Sequence, residues 1–242
     1  MREVRIYQAG PLSLDQTFDL TSEAGQHIGV VLRMQAGAKL TLFCGDNREF
    51  STIILAVHRK KVTVKIIEER VVNRESSCKI HLAQSISKGE RMEFVVQKAV
   101  ELGVASISPV STSRSVLRLD AERMEKKLAQ WQAVAIAACE QSGRNQIPLI
   151  KPIMTLNDYL LENNAELKLV LDPREIKTWR DYDSKQAEIT LLIGPEGGFS
   201  EEELEQIFSA GFSPLTLGPR ILRTETAAIT AISVLQAVSG DL

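Results

Sequence analysis

Gly194-Pro195-Glu196-Gly197-Gly198-Phe199-Ser200 is the most unusual stretch of this sequence, and it lies between a strand pattern and a helix pattern. It follows the short apolar run Ile189–Ile193, which is typical of a buried parallel strand. It precedes a helix that Ser200 and Glu203 open as a capping box. α/β sheets bind ligands at the carboxyl ends of their strands, and glycine lets the backbone approach a ligand closely. The stretch therefore predicts an α/β fold with a ligand site at this loop.

Two familiar nucleotide-binding motifs do not fit the loop. No Gly-Lys-Ser/Thr follows it, so it is not a P-loop, and no acidic residue about 20 positions further on marks the ribose site of a Rossmann fold. Rossmann-type methyltransferases and dinucleotide oxidoreductases are disfavoured on the same ground. A glycine-rich turn with a solvated Glu196 remains the alternative.

From Lys79 onward, strand patterns alternate with helix patterns, which predicts a parallel sheet covered on both sides. The last helix is apolar on nearly every face, so we expect it to be buried. The predicted strands are Lys79–Ile86, Val104–Val110, Leu167–Leu171, Ile189–Ile193 and Leu215–Leu217, and the predicted helices are Gly89–Leu102, Asp120–Gly143, Ser200–Gly211 and Thr226–Val238.

The N-terminal part has a different texture, with short segments rich in Val, Ile, Thr and Phe. Its predicted strands are Lys39–Phe43, Phe50–Val57 and Val62–Glu68, with a helix-like stretch at His27–Arg33. Strands at this spacing suggest a small β-barrel. We therefore predict a barrel domain over residues 1–72 and an α/β domain over residues 73–242, with Val72–Cys78 as the linker.

Composition and charge narrow the possible functions. The 242 residues are 44% hydrophobic and 25% charged, with a net charge of −2, which excludes a disordered chain and a chain coated in positive charge. Nucleic-acid contact must therefore come from local basic clusters, and residues 1–72 carry ten Lys and Arg against eight Asp and Glu. We recognise no signal peptide, membrane span or metal-binding spacing, and only 3 cysteines are present. These features predict a reduced, cytoplasmic, metal-free protein.

A second polar loop, Leu217–Thr226, follows the next predicted strand. It contains Arg220, Arg223 and Glu225, and it is long for a strand-to-helix connection. The two loops follow successive strands, so they could face each other across one cleft. The alternative is a helix start capped by Thr224 or Thr226 with Arg220 exposed.

A third polar cluster, Ser111–Arg118, follows an earlier strand and contains Arg114 and Arg118 without compensating acids. Arg144 follows the long helix. Such arginines suit contacts to phosphate oxygens. A solvated loop is the alternative.

Several motifs, taken in order, resemble the RsmE family of bacterial 16S ribosomal RNA methyltransferases, which act on the N-3 nitrogen of a uridine. The resemblance spans nearly the whole chain, although Ile6 stands where the family pattern leads us to expect an aromatic residue. The motifs are Arg5-Ile6-Tyr7, His27–Arg33, Lys88–Glu93, Lys98–Val104, Glu140–Arg144, Gly194–Gly198 and Leu217–Ala227.

The resemblance implies a PUA-like N-terminal barrel and a SPOUT methyltransferase domain that ends in a trefoil knot. It also implies a homodimer that uses S-adenosylmethionine and acts on 16S rRNA in the small ribosomal subunit. The cofactor would sit in the knot, held by three loops. The implied cofactor-binding residues are Leu171, Leu192, Gly194, Glu196, Gly197, Gly198, Leu217, Gly218, Leu222 and Thr226.

Roles in catalysis and RNA binding follow from the same resemblance and from chemistry. Arg223 would stabilise the negative charge that forms on the uracil oxygens, and Glu225 or Glu196 would accept the proton or orient Arg223. The expected RNA contacts are Arg5, Arg33, Arg114, Arg118 and Arg144. Two rival functions remain open: a non-enzymatic RNA-binding or ribosome-assembly protein, and a related enzyme that modifies transfer RNA or another ribosomal position.

Overall fold

The chain forms two units in a computed structural model that describes residues 4–59, 61–87, 89–115, 120–162, 165–183 and 187–242. The first unit comprises Met1–Glu75 and Cys139–Ile147, and the second comprises Ser76–Ala138 and Pro148–Leu242. The division into domains at residue 72 stays a prediction. The segment 139–147, which we assigned to the second domain, lies with the first unit.

The first unit contains a five-stranded sheet with the order β1-β3-β4-β5-β2. Alternate residues of its two long strands, such as Phe50, Ile54, Val62 and Val64, are fully buried, as expected where one face of a strand covers a core. The strands are β1 (Arg5–Tyr7), β2 (Thr17–Asp19), β3 (Lys39–Phe43), β4 (Arg48–His58) and β5 (Lys61–Val71).

The helix predicted at His27–Arg33 is a different structure. A short helix α1 (Ser22–Gln26) leads into a π-helical turn (His27–Val31), in which Leu32 N donates to His27 O at 2.9 Å. A Cβ on Gly29 would lie 2.5 Å from Arg59 O, so only glycine permits this close approach to the β4–β5 turn.

The second unit contains a seven-stranded sheet with the order β12-β10-β11-β6-β7-β8, and β9 also pairs with β7. All of its strand pairs are parallel. The elements are β6 (Lys79–Ser85), α2 (Arg91–Glu101), β7 (Ser106–Ser111), α3 (Ala121–Ser142), β8 (Leu149–Ile150), β9 (Met154–Thr155), α4 (Leu156–Glu162), β10 (Leu167–Leu171), a 3₁₀ turn (Trp179–Asp181), β11 (Glu188–Ile193), α5 (Glu201–Ser209), β12 (Ser213–Leu215) and α6 (Thr224–Ser239).

Both faces of this sheet are covered, as the alternating pattern predicts. Leu191 and Leu192 are successive residues of β11 that point to opposite faces, and both are fully buried. Residues of α4 and α5 pack with Leu192 in one apolar cluster, whereas α6 contacts α2 and β11. The parallel α/β architecture is confirmed.

Two predicted elements near the C-terminus need correction. The last strand is Ser213–Leu215 rather than Leu215–Leu217, because Thr216 N donates to Lys177 O and the chain leaves the sheet there. The last helix begins at Thr224 rather than Thr226, and Arg223 is its N-cap residue. Together the two differences move the intervening loop by two positions, to residues 216–223, without changing its length.

Candidate active site

A cleft of about 500 Å³ opens at the carboxyl ends of three adjacent strands, β12, β10 and β11. Its volume falls in the range of small-molecule sites, and its position is the one that parallel sheets use for ligands. Its lining comes from residues 171–174, 193–199, 215–218 and 220–224, together with Arg114, Glu201, Leu204 and Ala227.

Glycines shape two sides of the cleft. Gly198 (φ +68°) and Gly218 (φ +111°) have backbone angles that side chains disfavour, and a Cβ at either position would meet no atom within 4 Å. Both therefore border open space, where a ligand can approach the main chain. This geometry fits a flat or extended ligand held partly by backbone groups.

Thr224 joins the two loops of the cleft. Its hydroxyl donates to Gly194 O at 2.7 Å, and the side-chain amide of Gln84 donates to the Thr224 oxygen at 3.0 Å. The alternative of a helix start capped by Thr224 or Thr226 does not hold, since Arg223 is the N-cap residue and forms no side-chain cap, although Arg220 is exposed as that alternative expects. The Thr224 side chain bonds a carbonyl 30 positions away instead of its own helix.

A buried carboxylate follows β10 on the floor of the cleft. Arg174 Nη2 donates to Asp172 Oδ2 at 2.9 Å, and Arg174 Nη1 donates to Glu201 Oε1 at 2.7 Å. The hydrogen bonds from Arg174 hold the pKa of Asp172 below its usual range, against the effect of burial. Asp172 is therefore ionised at neutral pH.

Arginines dominate the rim. Arg91 Nη1 lies 2.7 Å from Glu196 Oε1, and Arg114 Nη1 donates to Gly197 O at 2.7 Å. Arg220 and Arg223 are exposed, and neither forms an ion pair within the part of the chain that the structure describes. The rim therefore presents positive charge that no nearby carboxylate neutralises at these two positions.

Most of the residues predicted to hold a cofactor meet in this cleft. Leu171, Gly194, Glu196, Gly197, Gly198, Leu217, Gly218 and Leu222 line it. Leu192 does not, because it is fully buried within the sheet, and Thr226 is exposed on α6 outside the lining.

The two predicted catalytic residues are placed differently. Arg223 lines the cleft, but Glu225 is half-buried and does not line it. One carboxylate oxygen of Glu225, Oε2, is buried and has no hydrogen-bond partner among the described residues. Glu196, the other candidate acceptor, does line the cleft.

Two of the predicted RNA contacts have an internal role instead. Arg5 pairs with Glu49 at 2.5 Å and donates to Asn145, while the side chain of Arg144 is only 6% exposed and pairs with Glu75. Guanidinium groups engaged in this way are not free to bind phosphate. Arg33 and Arg114 are exposed, and Arg118 lies outside the described residues.

Three contributors were not predicted from the sequence. Asp172 and Arg174 were missed, although Asp172 directly follows the strand Leu167–Leu171 and this position was the available signal. Gln84 was assigned only to a strand face, and no local pattern reveals its bond to Thr224.

Other classes of site receive no support from the described residues. Within those ranges, no cluster of three or more His, Cys, Asp and Glu side chains could hold a metal ion. None of the helices described is long and apolar enough to span a membrane.

Comparison with known proteins identifies related families. The model of the RNA methyltransferase domain matches residues 74–236, and the model of the RNA methyltransferase PUA domain matches residues 20–67. Ribosomal RNA small subunit methyltransferase E of Buchnera aphidicola (subspecies Schizaphis graminum) is 40% identical over 239 residues, covering 98% of this chain and 97% of the relative. The protein of the same name from Bacillus subtilis is 32% identical, covering 90% of this chain and 89% of the relative.

Solved structures with the same fold contain a bound methyl donor. A methyltransferase from Legionella pneumophila in complex with SAM is 55% identical, with a TM-score of 0.98 and full coverage of both chains. Ribosomal RNA small subunit methyltransferase E from Neisseria gonorrhoeae, bound to S-adenosyl methionine, is 38% identical with a TM-score of 0.93, again with full coverage of both.

Proposed function

This chain belongs to the RNA methyltransferase family and to its group of ribosomal RNA small subunit methyltransferases E, and from that premise we propose that it methylates the N-3 nitrogen of a uridine in 16S rRNA, using S-adenosylmethionine. The names of the relatives specify the small-subunit rRNA as their substrate, and two structural neighbours contain the bound cofactor. The uridine nitrogen is our proposal from the resemblance and from the chemistry of the cleft.

The observation that carries the proposal is the cleft at the three strand ends. Its apolar side chains Leu171, Leu217 and Leu222 suit an adenine ring, and the backbone beside Gly198 and Gly218 is open to a ligand. When bound, S-adenosylmethionine supplies an electrophilic methyl group on a sulfonium centre. The protein then has to hold the acceptor nitrogen in line with that methyl group and to favour loss of its proton.

Arg223 is the side chain that best fits stabilisation of the uracil anion. It lines the cleft, is exposed, and stands at the N-terminus of the 16-residue helix α6, where backbone N–H groups also favour negative charge. A guanidinium aimed at the oxygen where charge develops lowers the free energy of the deprotonated base. Glu196 is the better placed of the two candidate proton acceptors because it lines the cleft. No ion pair joins Glu225 to Arg223 among the described residues, so the orienting role of Glu225 is proposed from the sequence alone.

RNA contact is proposed for three arginines. Arg114 lies on the rim of the cleft, Arg33 lies in the PUA-domain match, and Arg118 is included from the sequence alone. We leave Arg5 and Arg144 out because both are engaged in internal ion pairs. A uridine must be unstacked to enter the cleft, and contacts of this kind offset that cost.

Three further properties belong to the same proposal: a SPOUT-type trefoil knot in the C-terminal part, a homodimer, and a cytoplasmic location shared with the ribosome. The strand order supports the knot, because the chain leaves β11, forms β12 beyond β10, and returns through α6 to contact β11 again. Light scattering at several protein concentrations tests the homodimer; a monomer throughout contradicts it.

Mapping methylated nucleotides in rRNA from cells with and without the gene tests the function. We expect one N-3-methyluridine in 16S rRNA to disappear when the gene is deleted, and purified protein with S-adenosylmethionine to restore it on small subunits. Loss of a mark only in transfer RNA would favour the related enzyme. An unchanged set of marks would favour a non-enzymatic assembly protein.

A further inference from the structure

Gln84 is a fully buried amide next to the last residue of strand β6. It lies in β6 opposite Ile193 of β11, which is the residue before Gly194. Its side chain does not line the cleft, yet its amide nitrogen reaches Thr224, which does. An apolar side chain of similar size would fill the same space without the cost of burying an amide.

The hydrogen bonds around Gln84 have one consistent direction. Its Nε2 donates to Ser85 O at 3.1 Å and to Thr224 Oγ1 at 3.0 Å. A carbonyl oxygen can only accept, so Ser85 O fixes which end of the amide is the NH2 group. In the opposite orientation the amide oxygen of Gln84 would face another acceptor.

The direction of these bonds determines where the Thr224 hydroxyl donates its proton. A hydroxyl has a single proton, and the Thr224 oxygen already accepts from Gln84. Its own proton is therefore directed to Gly194 O, 2.7 Å away. The bond joins the first residue after β11 to the first residue of α6, which belong to two different walls of the cleft.

We propose that Gln84 is a positioning residue of the cofactor cleft: it directs the Thr224 hydroxyl onto Gly194 O and so holds the glycine-rich loop against the start of α6. A cleft held in its binding shape loses less conformational freedom when a ligand binds, which strengthens binding. The amide oxygen of Gln84 is buried without a hydrogen-bond partner in the described part of the chain, so both hydrogen bonds of this side chain come from its nitrogen, and one of them reaches Thr224. This inference rests on the proposed use of S-adenosylmethionine.

Gln236 provides a matched control. It is also a fully buried glutamine of the second unit, and it lies near the C-terminal end of α6, away from the cleft lining. Its amide nitrogen donates to Leu102 O at 3.1 Å, and its amide oxygen accepts from Ser76 Oγ at 2.7 Å. Replacing either glutamine with methionine removes buried hydrogen bonds, but only Gln84 is connected to Thr224 and Gly194.

The test is calorimetric titration of S-adenosylmethionine into the full chain and its variants. We expect Gln84→Met and Thr224→Val each to weaken binding about 5- to 10-fold, which corresponds to the loss of one hydrogen bond. The double variant should weaken binding by no more than about 10-fold, because both changes break the same series of bonds. Thr224→Ser keeps the hydroxyl, so its affinity for S-adenosylmethionine should stay within about twofold of wild type. The affinity of Gln236→Met should also stay within about twofold, even if its melting temperature is lower. In methylation assays, Gln84→Met should raise the KM for S-adenosylmethionine while kcat at saturation changes less than about twofold.

Three results would overturn the inference. The first is an affinity of Gln84→Met for S-adenosylmethionine within about twofold of wild type. The second is an equal loss of affinity in Gln236→Met. The third is a double variant in which the two losses of affinity multiply, as they do for independent sites. If Gln84→Met does not fold, the comparison of Thr224→Val with Thr224→Ser decides, since equal affinities would contradict the role of the hydroxyl. Failure of the unmodified chain to bind S-adenosylmethionine would instead overturn the proposed function itself.

Discussion

Arg91 Nη1 lies 2.7 Å from Glu196 Oε1, and this ion pair fixes the glycine-rich loop after β11 to the first residue of α2. Arg114 holds the same loop from another side, by donating to Gly197 O at 2.7 Å and to Phe199 O at 3.3 Å. The loop therefore has its shape before any ligand arrives, although its own sequence is rich in glycine. Its conformation depends on arginines from two other parts of the chain.

Arg91→Met should weaken S-adenosylmethionine binding a few-fold, because the loop would then have to be ordered by the ligand. Stability should change by less than about 1 kcal/mol, since exposed ion pairs contribute little. Titration calorimetry and urea unfolding measure the two effects. Arg123→Met, which removes an exposed pair with Asp120 on α3, is the control and should leave binding unchanged. Equal affinities in all three proteins would refute the role of Arg91.

Arg223→Ala should lower kcat about 10²-fold, the usual loss when one donor to a developing anion is removed. Affinity for S-adenosylmethionine should stay within about threefold, because the guanidinium is assigned to the base and not to the cofactor. Methyl transfer to purified small subunits gives the first value and titration gives the second. Lys126→Ala, an exposed change on α3, serves as the control. Activity of Arg223→Ala within about threefold of wild type would show that the assignment is wrong.

Gly197→Val should abolish cofactor binding. A Cβ at this position would lie 3.4 Å from Arg114 Cδ, which is an ordinary contact, so alanine fits beside that side chain. The two further methyl groups of valine must displace Arg114 or enter the cleft. We therefore expect Gly197→Ala to bind S-adenosylmethionine within a few-fold of wild type and Gly197→Val not to bind. Normal binding by the valine variant would remove this loop from the site.

Glu140→Gln should stabilise the protein at neutral pH. Burial raises the pKa of Glu140 above its usual 4.5, against the hydrogen bond from Tyr7 N and the attraction of His27 and Arg5. Because the folded pKa lies above the unfolded one, the stability linked to this group is complete below the unfolded value and is lost as pH rises through the folded value. A glutamine keeps an acceptor for Tyr7 N without the buried charge.

Urea unfolding at neutral pH and near pH 4 measures this difference. The midpoint of Glu140→Gln should exceed that of wild type at neutral pH, and the two should converge in acid, where the carboxyl is protonated in both states. Glu125→Gln, at an exposed position of the same helix, should show no comparable shift. A less stable Glu140→Gln at neutral pH would contradict the effect of burial.

Local patterns predicted the elements that depend on neighbouring residues. Strands β3 and β10 begin and end at the predicted residues, and the capping box at Ser200 and Glu203 is present. Asp120 Oδ1 accepts from Arg123 N at 2.9 Å, as expected of the residue that opens α3. Caps and apolar periodicity act within one or two turns of chain, so the sequence contains the whole interaction.

Two sequence predictions differ from the structure because the residues concerned bond to partners that are distant in the chain. The apolar stretch Leu215–Leu217 reads as a strand, but Thr216 bonds Lys177 and the strand has already ended. Arg144 looks like a free cation in the sequence, yet Glu75 neutralises it inside the first unit. Neither partner lies near its residue in the chain, so periodicity and charge patterns contain no trace of the pairing.

Sequence patterns alone predict the alternation of strands and helices, the parallel sheet and the two loops that border the cleft. Apolar repeats and helix caps are short-range interactions, and the carboxyl ends of parallel strands must meet at one edge. The hydrogen-bonded series of Gln84, Thr224 and Gly194, and the bond from Arg174 to Glu201 at the cleft, became visible only in the folded structure. Gln84 and Thr224 stand 140 positions apart. A directional bond over that separation exists only after the whole sheet has brought the two atoms within 3 Å.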